Sequence, residues 1–217
     1  MMMSDLLTML PPGALMMLVA AGLVLAPHHT RQLVMLLAIA GSAFSLTAGA
    51  GQHLTIELLG FEMMLYRADH LSLPFAIVFH IAAALNVFYG WHERRATDHV
   101  AGLAYAGAAI AALHAGDLIT LFIWWEATAI TSVFLILASG TQRARYAAMR
   151  YLIVQVASGV LLLAGAAMLY SESGSLAFAG MTLGSAATWL IFIAFGIKAA
   201  FPLLNGWLQD AYPEATV

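Results

Sequence analysis

The stretch LITLFIWWEATAITSVFLILAS, residues 118–139, decides the fold because it is long and apolar enough to cross a lipid bilayer. A helix of about 20 apolar residues spans the hydrocarbon core. The only charged residue in this stretch is Glu126. A charged side chain at membrane depth costs roughly 2.5–3.5 kcal/mol, so such residues usually face a protein interior and serve a function. The stretch therefore predicts a membrane helix with a buried functional carboxyl group.

The composition extends this interpretation to the whole chain. Of its 217 residues, 63% are hydrophobic and 9% are charged, whereas soluble domains carry roughly 25% charged residues. The chain has no cysteine, which excludes disulfides, thiolate metal ligands and cysteine nucleophiles. The first residues, MMMSD, lack the basic region of a cleaved signal peptide. We therefore expect the first apolar segment to remain in the mature protein.

Six further apolar segments are long enough, or nearly so, to cross a bilayer. Together the predicted crossings are residues 6–26, 32–51, 71–90, 99–115, 118–139, 147–170 and 183–204. Residues that favour turns and loops separate them, and no linker is long enough to divide the chain. We predict an all-α membrane protein with about seven transmembrane helices, which form a single domain over residues 1–217.

The basic residues predict the orientation of these helices. Six of the eight Lys and Arg residues lie in alternate connections, namely Arg31, Arg94, Arg95, Arg143, Arg145 and Arg150. By the positive-inside rule these connections are cytoplasmic and the amino terminus is outside. The long outer connection, residues 52–70, contains the partly alternating sequence HLTIEL. This pattern is compatible with a short extramembrane hairpin or with a plain loop.

Glu126 lies too deep for its carboxyl group to reach water along the helix. At 1.5 Å per residue it is roughly 12 Å below the outer surface, beyond the reach of a side chain with two methylene groups. Thr131 and Ser132 follow it and are candidates to line the same cavity. A buried carboxyl holds or releases its proton according to whether a cation is near. The alternative is a structural, protonated glutamate that bonds to a neighbouring helix.

Lys198 is the second ionisable residue inside an apolar segment, in the sequence FGIKAAFP at residues 195–202. Pro202 has no amide hydrogen to donate to the carbonyl of Lys198, four residues earlier. The sequence therefore predicts that the seventh helix is broken near Pro202, and broken helices at membrane depth usually line a hydrated cavity. The alternative is that the lysine stem extends to the cytoplasmic interface.

Other polar residues in the apolar segments are weaker candidates for the same path. Gln155 and Ser158 share one helix face, where they either line the path or join helices by hydrogen bonds. His80 is interpreted as a hydrogen-bonded core histidine in preference to a proton relay. His80 and His114 lie at different predicted depths, which argues against paired haem ligation. We expect no cofactor and no metal site.

Two segments together resemble a known family. The sequence LFIWWE at residues 121–126, which runs on to Ser132 and to LIL at 135–137, resembles the fifth-helix signature of antiporter-like, proton-conducting membrane subunits. These include Mrp-type Na⁺/H⁺ antiporter subunits and the large membrane subunits of respiratory NADH:quinone oxidoreductase. The sequences GIKAAFPL at 196–203 and WLQDAYPEA at 207–215 resemble the seventh-helix signature of that family, and look closest to the D branch of the Mrp antiporter subunits.

The resemblance implies that Glu126 and Lys198 form an interacting pair in a proton half-channel. It also implies a partial antiporter-like fold, truncated or split before the eighth helix. The implied protein is a subunit of a multisubunit monovalent cation/proton antiporter in the inner membrane of a bacterial cell. Its implied partners are other membrane subunits, the lipid bilayer and protons, with Na⁺ or K⁺ as candidate cations and no nucleic acid.

Three alternatives remain open. The first is a proton-pumping membrane subunit of a quinone- or hydrogenase-linked respiratory complex. The second is a non-conducting scaffold that helps larger partners to assemble. The third is a seven-helix retinal protein with a Schiff base at Lys198, against which stand the neighbouring Pro202 and an alanine at position 194, where such proteins are expected to have an aspartate.

Overall fold

The computed structural model of the protein describes residues 11–58, 60–178 and 181–215. They form two compact units, which divide after Ala115. The described residues up to Ala115 are termed the amino-terminal unit, and those from Gly116 onward the carboxy-terminal unit. The single domain expected over residues 1–217 stays a prediction.

The amino-terminal unit consists of four helices and a hairpin. In chain order these are α1 (Ala14–Leu23), α2 (His28–Phe44), β1 (His53–Leu58), β2 (Phe61–Arg67), α3 (Ser72–Tyr89) and α4 (Ala96–Leu113). Its core is apolar and includes Met16, Leu23, Met35, Ile39, Leu103 and Ile110. Helix α1 approaches α4 so closely that a Cβ atom on Gly107 would lie 2.8 Å from the backbone oxygen of Gly13. Glycine at both positions therefore permits the contact of the two helices.

The connection at residues 52–70, which is predicted to lie outside, forms an antiparallel hairpin. Strand β1 pairs with β2 from His53 opposite Arg67 to Leu58 opposite Phe61, with an irregularity between Leu54 and Thr55. The hairpin alternative is thus confirmed against the plain loop. The alternating side chains of HLTIEL belong to a strand that pairs with a second strand. The fold is mostly helical.

The carboxy-terminal unit is built around one long helix. Its helices are α5 (Leu118–Leu137), α6 (Gln142–Ser173), α7 (Ala186–Lys198) and α8 (Gly206–Ala211). Both α5 and α7 contact α6. Asp117 begins α5 by accepting hydrogen bonds from the backbone N–H groups of Ile119 and Thr120, and a Ser185–Thr188 capping box begins α7. These caps satisfy N–H groups that a helix start leaves free.

The seven predicted crossings overlap helices α1 to α7. In the part of the chain that the structure describes, four helical segments are long and apolar enough to cross a membrane, namely His28–Ala48, Ser72–His92, Leu118–Leu137 and Gln142–Ser173. Helices α1 and α7 are apolar but shorter, with 10 and 13 residues. Part of the first predicted crossing, residues 6–10, lies outside the described residues. A multi-pass membrane protein follows, while the count of seven and the outside amino terminus stay predictions.

The connections predicted to share one side meet within each unit. In the amino-terminal unit the Arg31 guanidinium donates to the backbone oxygen of Arg94 at 3.1 Å. In the carboxy-terminal unit Arg143 pairs with Glu214 at 3.0 Å, and Arg150 with Asp210 at 3.3 Å. These contacts agree with the alternation of sides that the basic residues predict.

Helix α7 ends at Lys198, before Pro202 is reached. Ala200 has a φ of +54°. Its N–H group donates to the Ile197 oxygen at 3.1 Å, and the Phe201 N–H group donates to the Gly196 oxygen at 2.9 Å. This pattern is a Schellman motif, with a left-handed residue just after the helix. The turn itself ends the helix, and the proline that follows prevents it from continuing.

Candidate functional site

The Lys198 ammonium is held by helix α5. Its Nζ donates to the Trp125 backbone oxygen at 3.0 Å and to the Thr128 hydroxyl oxygen at 2.9 Å. It also lies 5.0 Å from the centroid of the Trp125 ring, within the range of a cation–π interaction. The ammonium is thus bound by neutral groups on a neighbouring helix, which is the geometry of an interior site and not of a side chain extended to the interface.

The Glu126 carboxyl group lies against Gly159 of α6. A Cβ atom at position 159 would overlap Glu126 Oε1 and would lie 2.8 Å from Glu126 Cδ. The Oε1 atom is buried and has no hydrogen-bond partner among residues 11–58, 60–178 and 181–215. Because only glycine leaves this space, residue 159 determines where the carboxyl group can lie.

Glu126 and Lys198 interact without forming a direct ion pair. Each exerts a coulombic effect on the other, yet within the described residues no ion pair of 4.0 Å or less joins them. Because the Lys198 ammonium binds the residue next to Glu126, each of the two groups influences the proton affinity of the other, as in a coupled titration. The two predicted ionisable residues are therefore brought into one site.

Polar side chains continue from this site along the contact between α5 and α6. The Trp125 indole N–H donates to the Ser158 hydroxyl oxygen at 3.1 Å, and Ser158 donates to the Gln155 backbone oxygen at 2.7 Å. The Gln155 side chain is fully buried, and neither of its amide atoms has a partner in the described part of the chain. Ser132 shares a 2.6 Å hydrogen bond with the Tyr151 hydroxyl.

The order of these residues follows from antiparallel packing. Glu126 lies opposite Gly159, and Ser132 lies opposite Tyr151. Gln155 is one helical turn from each of those two α6 positions. The Gln155 amide therefore lies along the same helix contact, between the level of Glu126 and the level of Ser132.

Two predicted path residues are engaged elsewhere. The Thr131 hydroxyl donates to the Ala127 oxygen of its own helix at 2.7 Å. His80 belongs to the amino-terminal unit, where its ring nitrogens contact the Ser42 hydroxyl at 2.9 Å and the Ala76 oxygen at 2.7 Å. Within the described residues, no group of three His, Asp or Glu side chains is suited to hold a metal ion.

Several residues of the site were missed by the sequence reasoning. Trp125 and Thr128 bind the ammonium, Gly159 receives the carboxyl group and Tyr151 bonds to Ser132. Helical spacing was an available signal for Thr128, which lies three residues after Trp125 on the same face. Gly159 and Tyr151 had no local signal, because their roles depend on how α6 is aligned with α5.

Comparisons with known proteins agree with this architecture. Residues 115–217 match the family described as NADH:quinone oxidoreductase/Mrp antiporter, TM. A NAD(P)H-quinone oxidoreductase chain 4 from Synechococcus sp. (strain JA-2-3B'a(2-13)) is 28% identical over 179 residues, which cover 77% of this chain and 34% of the relative. The corresponding chain 4-2 from Synechocystis sp. is 30% identical over 160 residues, which cover 68% of this chain and 28% of the relative.

Three solved complexes contain chains of similar fold. An archaeal respiratory membrane complex, the membrane-bound sulfane sulfur reductase, matches with a TM-score of 0.81 at 19% identity, covering 94% of this chain and 36% of that chain. Respiratory complex I from Thermus thermophilus matches with a TM-score of 0.77 at 21% identity, covering 93% of this chain and 47% of that chain. The Mrp complex from Dietzia sp. DQ12-45-1b matches with a TM-score of 0.75 at 22% identity, covering 94% of this chain and 25% of that chain.

The fold and the matches define an antiporter-like membrane subunit of the complex I/Mrp superfamily. Residues 115–217 match the NADH:quinone oxidoreductase/Mrp antiporter family, and the chain is homologous to chain 4 of NAD(P)H-quinone oxidoreductase. The resemblance to this family predicted from the two motifs is confirmed, while the particular closeness to the D branch of the Mrp antiporter subunits stays a prediction. The chain spans about a third of the length of these curated relatives.

Proposed function

We propose that the chain contributes a proton path through Glu126 and Lys198 to a multisubunit monovalent cation/proton antiporter of a bacterial inner membrane. The observation that supports this function best is the placement of the Lys198 ammonium on Trp125, the residue next to Glu126 in α5. An acid and a base held this close in an apolar bundle each change the proton affinity of the other.

The proposed mechanism is an exchange of partners by the ammonium. When Glu126 is ionised, its negative charge attracts the Lys198 ammonium through an interior of low dielectric constant. When Glu126 takes up a proton, that attraction ends, and only the neutral groups of Trp125 and Thr128 hold the ammonium. Protonation of Glu126 thereby changes which groups hold the Lys198 ammonium.

We propose that Ser132, Gln155 and Ser158 line the path to Glu126, since all three lie at the α5–α6 contact. Thr131 and His80 are assigned a packing role, because their polar atoms bond to Ala127, Ser42 and Ala76. The proposed partners are other membrane subunits of the same complex and the lipid bilayer. Protons are the proposed cargo, with Na⁺ or K⁺ as the exchanged cation.

The substitution Glu126→Gln tests this function in the assembled complex. It keeps the size of the side chain and removes the group that takes up a proton, so proton transport should fall on the order of 100-fold. The matched control is Glu172→Gln, at an exposed position near the end of α6, which should transport normally. Transport in membrane vesicles and complex assembly on native gels are measured together. Unchanged transport by assembled Glu126→Gln complex would contradict the mechanism.

A second candidate is a proton-pumping membrane subunit of a respiratory quinone oxidoreductase. The observation in its favour is that both relatives described above are chain 4 proteins of NAD(P)H-quinone oxidoreductase. Purification of the complex from native membranes separates the two candidates. Subunits with redox centres and quinone-dependent proton pumping would support the second, and cation/proton exchange without electron transfer would support the first.

A non-conducting assembly scaffold is the remaining alternative. In that case Glu126 and Lys198 would serve packing alone, and both Glu126→Gln and Lys198→Met would leave ion flux unchanged in assembled complex. The family match favours an antiporter-like subunit over the retinal protein. An absorption band in the visible range after addition of retinal would reverse that preference.

A further inference from the structure

Two buried histidines of the amino-terminal unit share one local arrangement. His80 and His114 are 4% and 0% exposed. In each ring, Nδ1 lies close to the carbonyl oxygen four residues earlier, at 2.7 Å from Ala76 and at 2.9 Å from Ile110. A carbonyl oxygen only accepts, so Nδ1 carries the hydrogen in both rings. In the neutral form each Nε2 is then an acceptor.

The two histidines differ at Nε2. In His80 this atom is 2.9 Å from the Ser42 hydroxyl, and that hydroxyl oxygen also accepts the Gly13 N–H group at 2.8 Å. The Ser42 hydrogen is therefore free to bond to His80. In His114, Nε2 is buried without a partner among the residues that the structure describes. His80 thus has a complete set of hydrogen bonds, whereas His114 keeps one open acceptor.

The His114 ring lies next to a second open polar group, the hydroxyl of Tyr66. The two ring centroids are 5.5 Å apart, with the rings tilted by 40°. Tyr66 is 2% exposed, and its hydroxyl has no partner in the described part of the chain. The N–H group of Arg67 donates to the His114 backbone oxygen at 2.8 Å, which holds strand β2 at the end of α4. Two neighbouring rings therefore each carry a buried polar atom that lacks a partner among the described residues.

Leaving both groups without hydrogen bonds would be costly, since buried polar groups in proteins nearly always have a partner. Single buried water molecules commonly supply such partners in polar sites. We propose that Tyr66 and His114 form a proton-binding site in the amino-terminal unit, in which one water molecule joins the Tyr66 hydroxyl to His114 Nε2.

Proton transfer at this site conserves atoms and charge. The water molecule gives one proton to the lone pair of Nε2 and takes up another from the incoming hydronium, so the imidazole becomes an imidazolium. Its new N–H group then donates to the same water oxygen. Release is the reverse transfer, and no other bond is made or broken.

The charged and titratable groups around His114 are Tyr66, Arg67 and Asp69 from the hairpin side and His80 from α3. Burial raises the pKa of the Tyr66 hydroxyl, so it remains a donor at neutral pH. Hydrogen bonds from the Ser72 and Leu71 N–H groups lower the pKa of Asp69, assisted by Arg67, so Asp69 is ionised. Burial is the largest influence on His114 and disfavours its imidazolium form, which the Ile110 carbonyl favours; a charged His80 also disfavours that form, and Asp69 favours it.

Solid-state nuclear magnetic resonance on the full chain in lipid, labelled with ¹⁵N-histidine, tests the site. At neutral pH, His114 Nε2 should be unprotonated and should show a cross-peak to water, and it should become protonated on acidification. His80 Nε2 should show no water cross-peak. Tyr66→Phe should remove the water cross-peak of His114 and leave the His80 signals unchanged. Ser42→Ala is the matched control, and it should alter His80 and leave His114 unchanged.

The proposal is overturned if wild-type His114 Nε2 carries a hydrogen at neutral pH or shows no contact with water. It is also overturned if the cross-peak persists in Tyr66→Phe, because the hydroxyl would then not hold the water. Where Tyr66→Phe does not fold, the wild-type pH series decides alone. The same spectra in a Glu126→Gln background should be unchanged, which makes this site independent of the function proposed for Glu126.

Discussion

The buried polar groups of the two units differ in the charge they carry. In the amino-terminal unit, His80 and Ser42 are neutral groups that bond to each other and to nearby backbone. In the carboxy-terminal unit, Glu126 and Lys198 are an acid and a base whose charges interact across two helices. Neutral polar groups with hydrogen bonds cost little to bury, whereas buried charges cost several kcal/mol. The proposed transport path is therefore assigned to the carboxy-terminal unit.

The largest effect that tests this comparison is expected at Lys198. Lys198→Met should abolish transport, on the order of 100-fold, because the ammonium that responds to Glu126 is lost. Lys198→Arg should also transport poorly, since a planar guanidinium does not replace a compact ammonium at the Trp125 oxygen and the Thr128 hydroxyl. Arg145→Met, at an exposed site on α6, is the control for loss of one positive charge. Flux in vesicles is the measurement, and normal flux in Lys198→Met would assign the pair to packing.

Gly159→Ala should have the second-largest effect. The new methyl group would displace the Glu126 carboxyl group, so transport should fall about tenfold, and overpacking should cost roughly 1–3 kcal/mol of stability. Gly165→Ala is a control for overpacking alone, because its methyl group would meet Ile191 and the Ala187 backbone. If both variants lose equal stability and equal transport, the special role of Gly159 is rejected. Flux and thermal unfolding in lipid are measured in parallel.

Gln155→Leu should separate a path residue from a packing residue. Its amide atoms are buried without partners in the described residues, and replacing such a group by an apolar one of similar size is nearly neutral or stabilising. We therefore expect unchanged or slightly higher thermal stability together with several-fold slower transport. Ser42→Ala, in the bonded network of the amino-terminal unit, should show the opposite pattern, lower stability with normal transport.

The smallest effect is expected at Asp69, which precedes α3 and accepts hydrogen bonds from the N–H groups of Leu71 and Ser72. These hydrogen bonds hold its pKa below the usual 3.8. The contribution of the Asp69 carboxylate to stability is therefore complete above pH 3.8. It is lost as the pH falls further, through the lower pKa that Asp69 has in the folded state. Asp69→Asn should cost about 0.5 kcal/mol at neutral pH, a value reduced by solvent exposure, and should flatten the acid limb of an unfolding curve. Glu62→Gln should leave that limb unchanged.

Much of the fold was predictable because it depends on local properties. The apolar run at 118–139 predicted α5 to within two residues of its observed end at Leu137. The hairpin stayed ambiguous, because alternation in HLTIEL was partial and pairing depends on a second strand. Pro202 correctly indicated that α7 does not continue, but the helix ends at Lys198. The left-handed turn at Ala200 brings Phe201 against Gly196, a contact that depends on the folded turn and not on the proline.

The candidate site was predictable in part for the same reason. Glu126 and Lys198 were evident from the cost of placing a charge in an apolar segment. The groups that surround them were not, because Thr128, Gly159 and Tyr151 are ordinary residues in their own helices. The Ser42 hydroxyl that contacts His80 was likewise not predictable, because depth along one helix does not specify which helices become neighbours.

Sequence alone established a multi-pass membrane protein with an acid and a base inside apolar helices, because hydropathy and the cost of burying charge are properties of each segment alone. The folded structure was needed to show that Trp125 and Thr128 hold the Lys198 ammonium, that Gly159 receives the Glu126 carboxyl group and that Tyr66 meets His114. Such pairings depend on the register of one helix or strand against another, which is set by side-chain packing between segments distant in the chain.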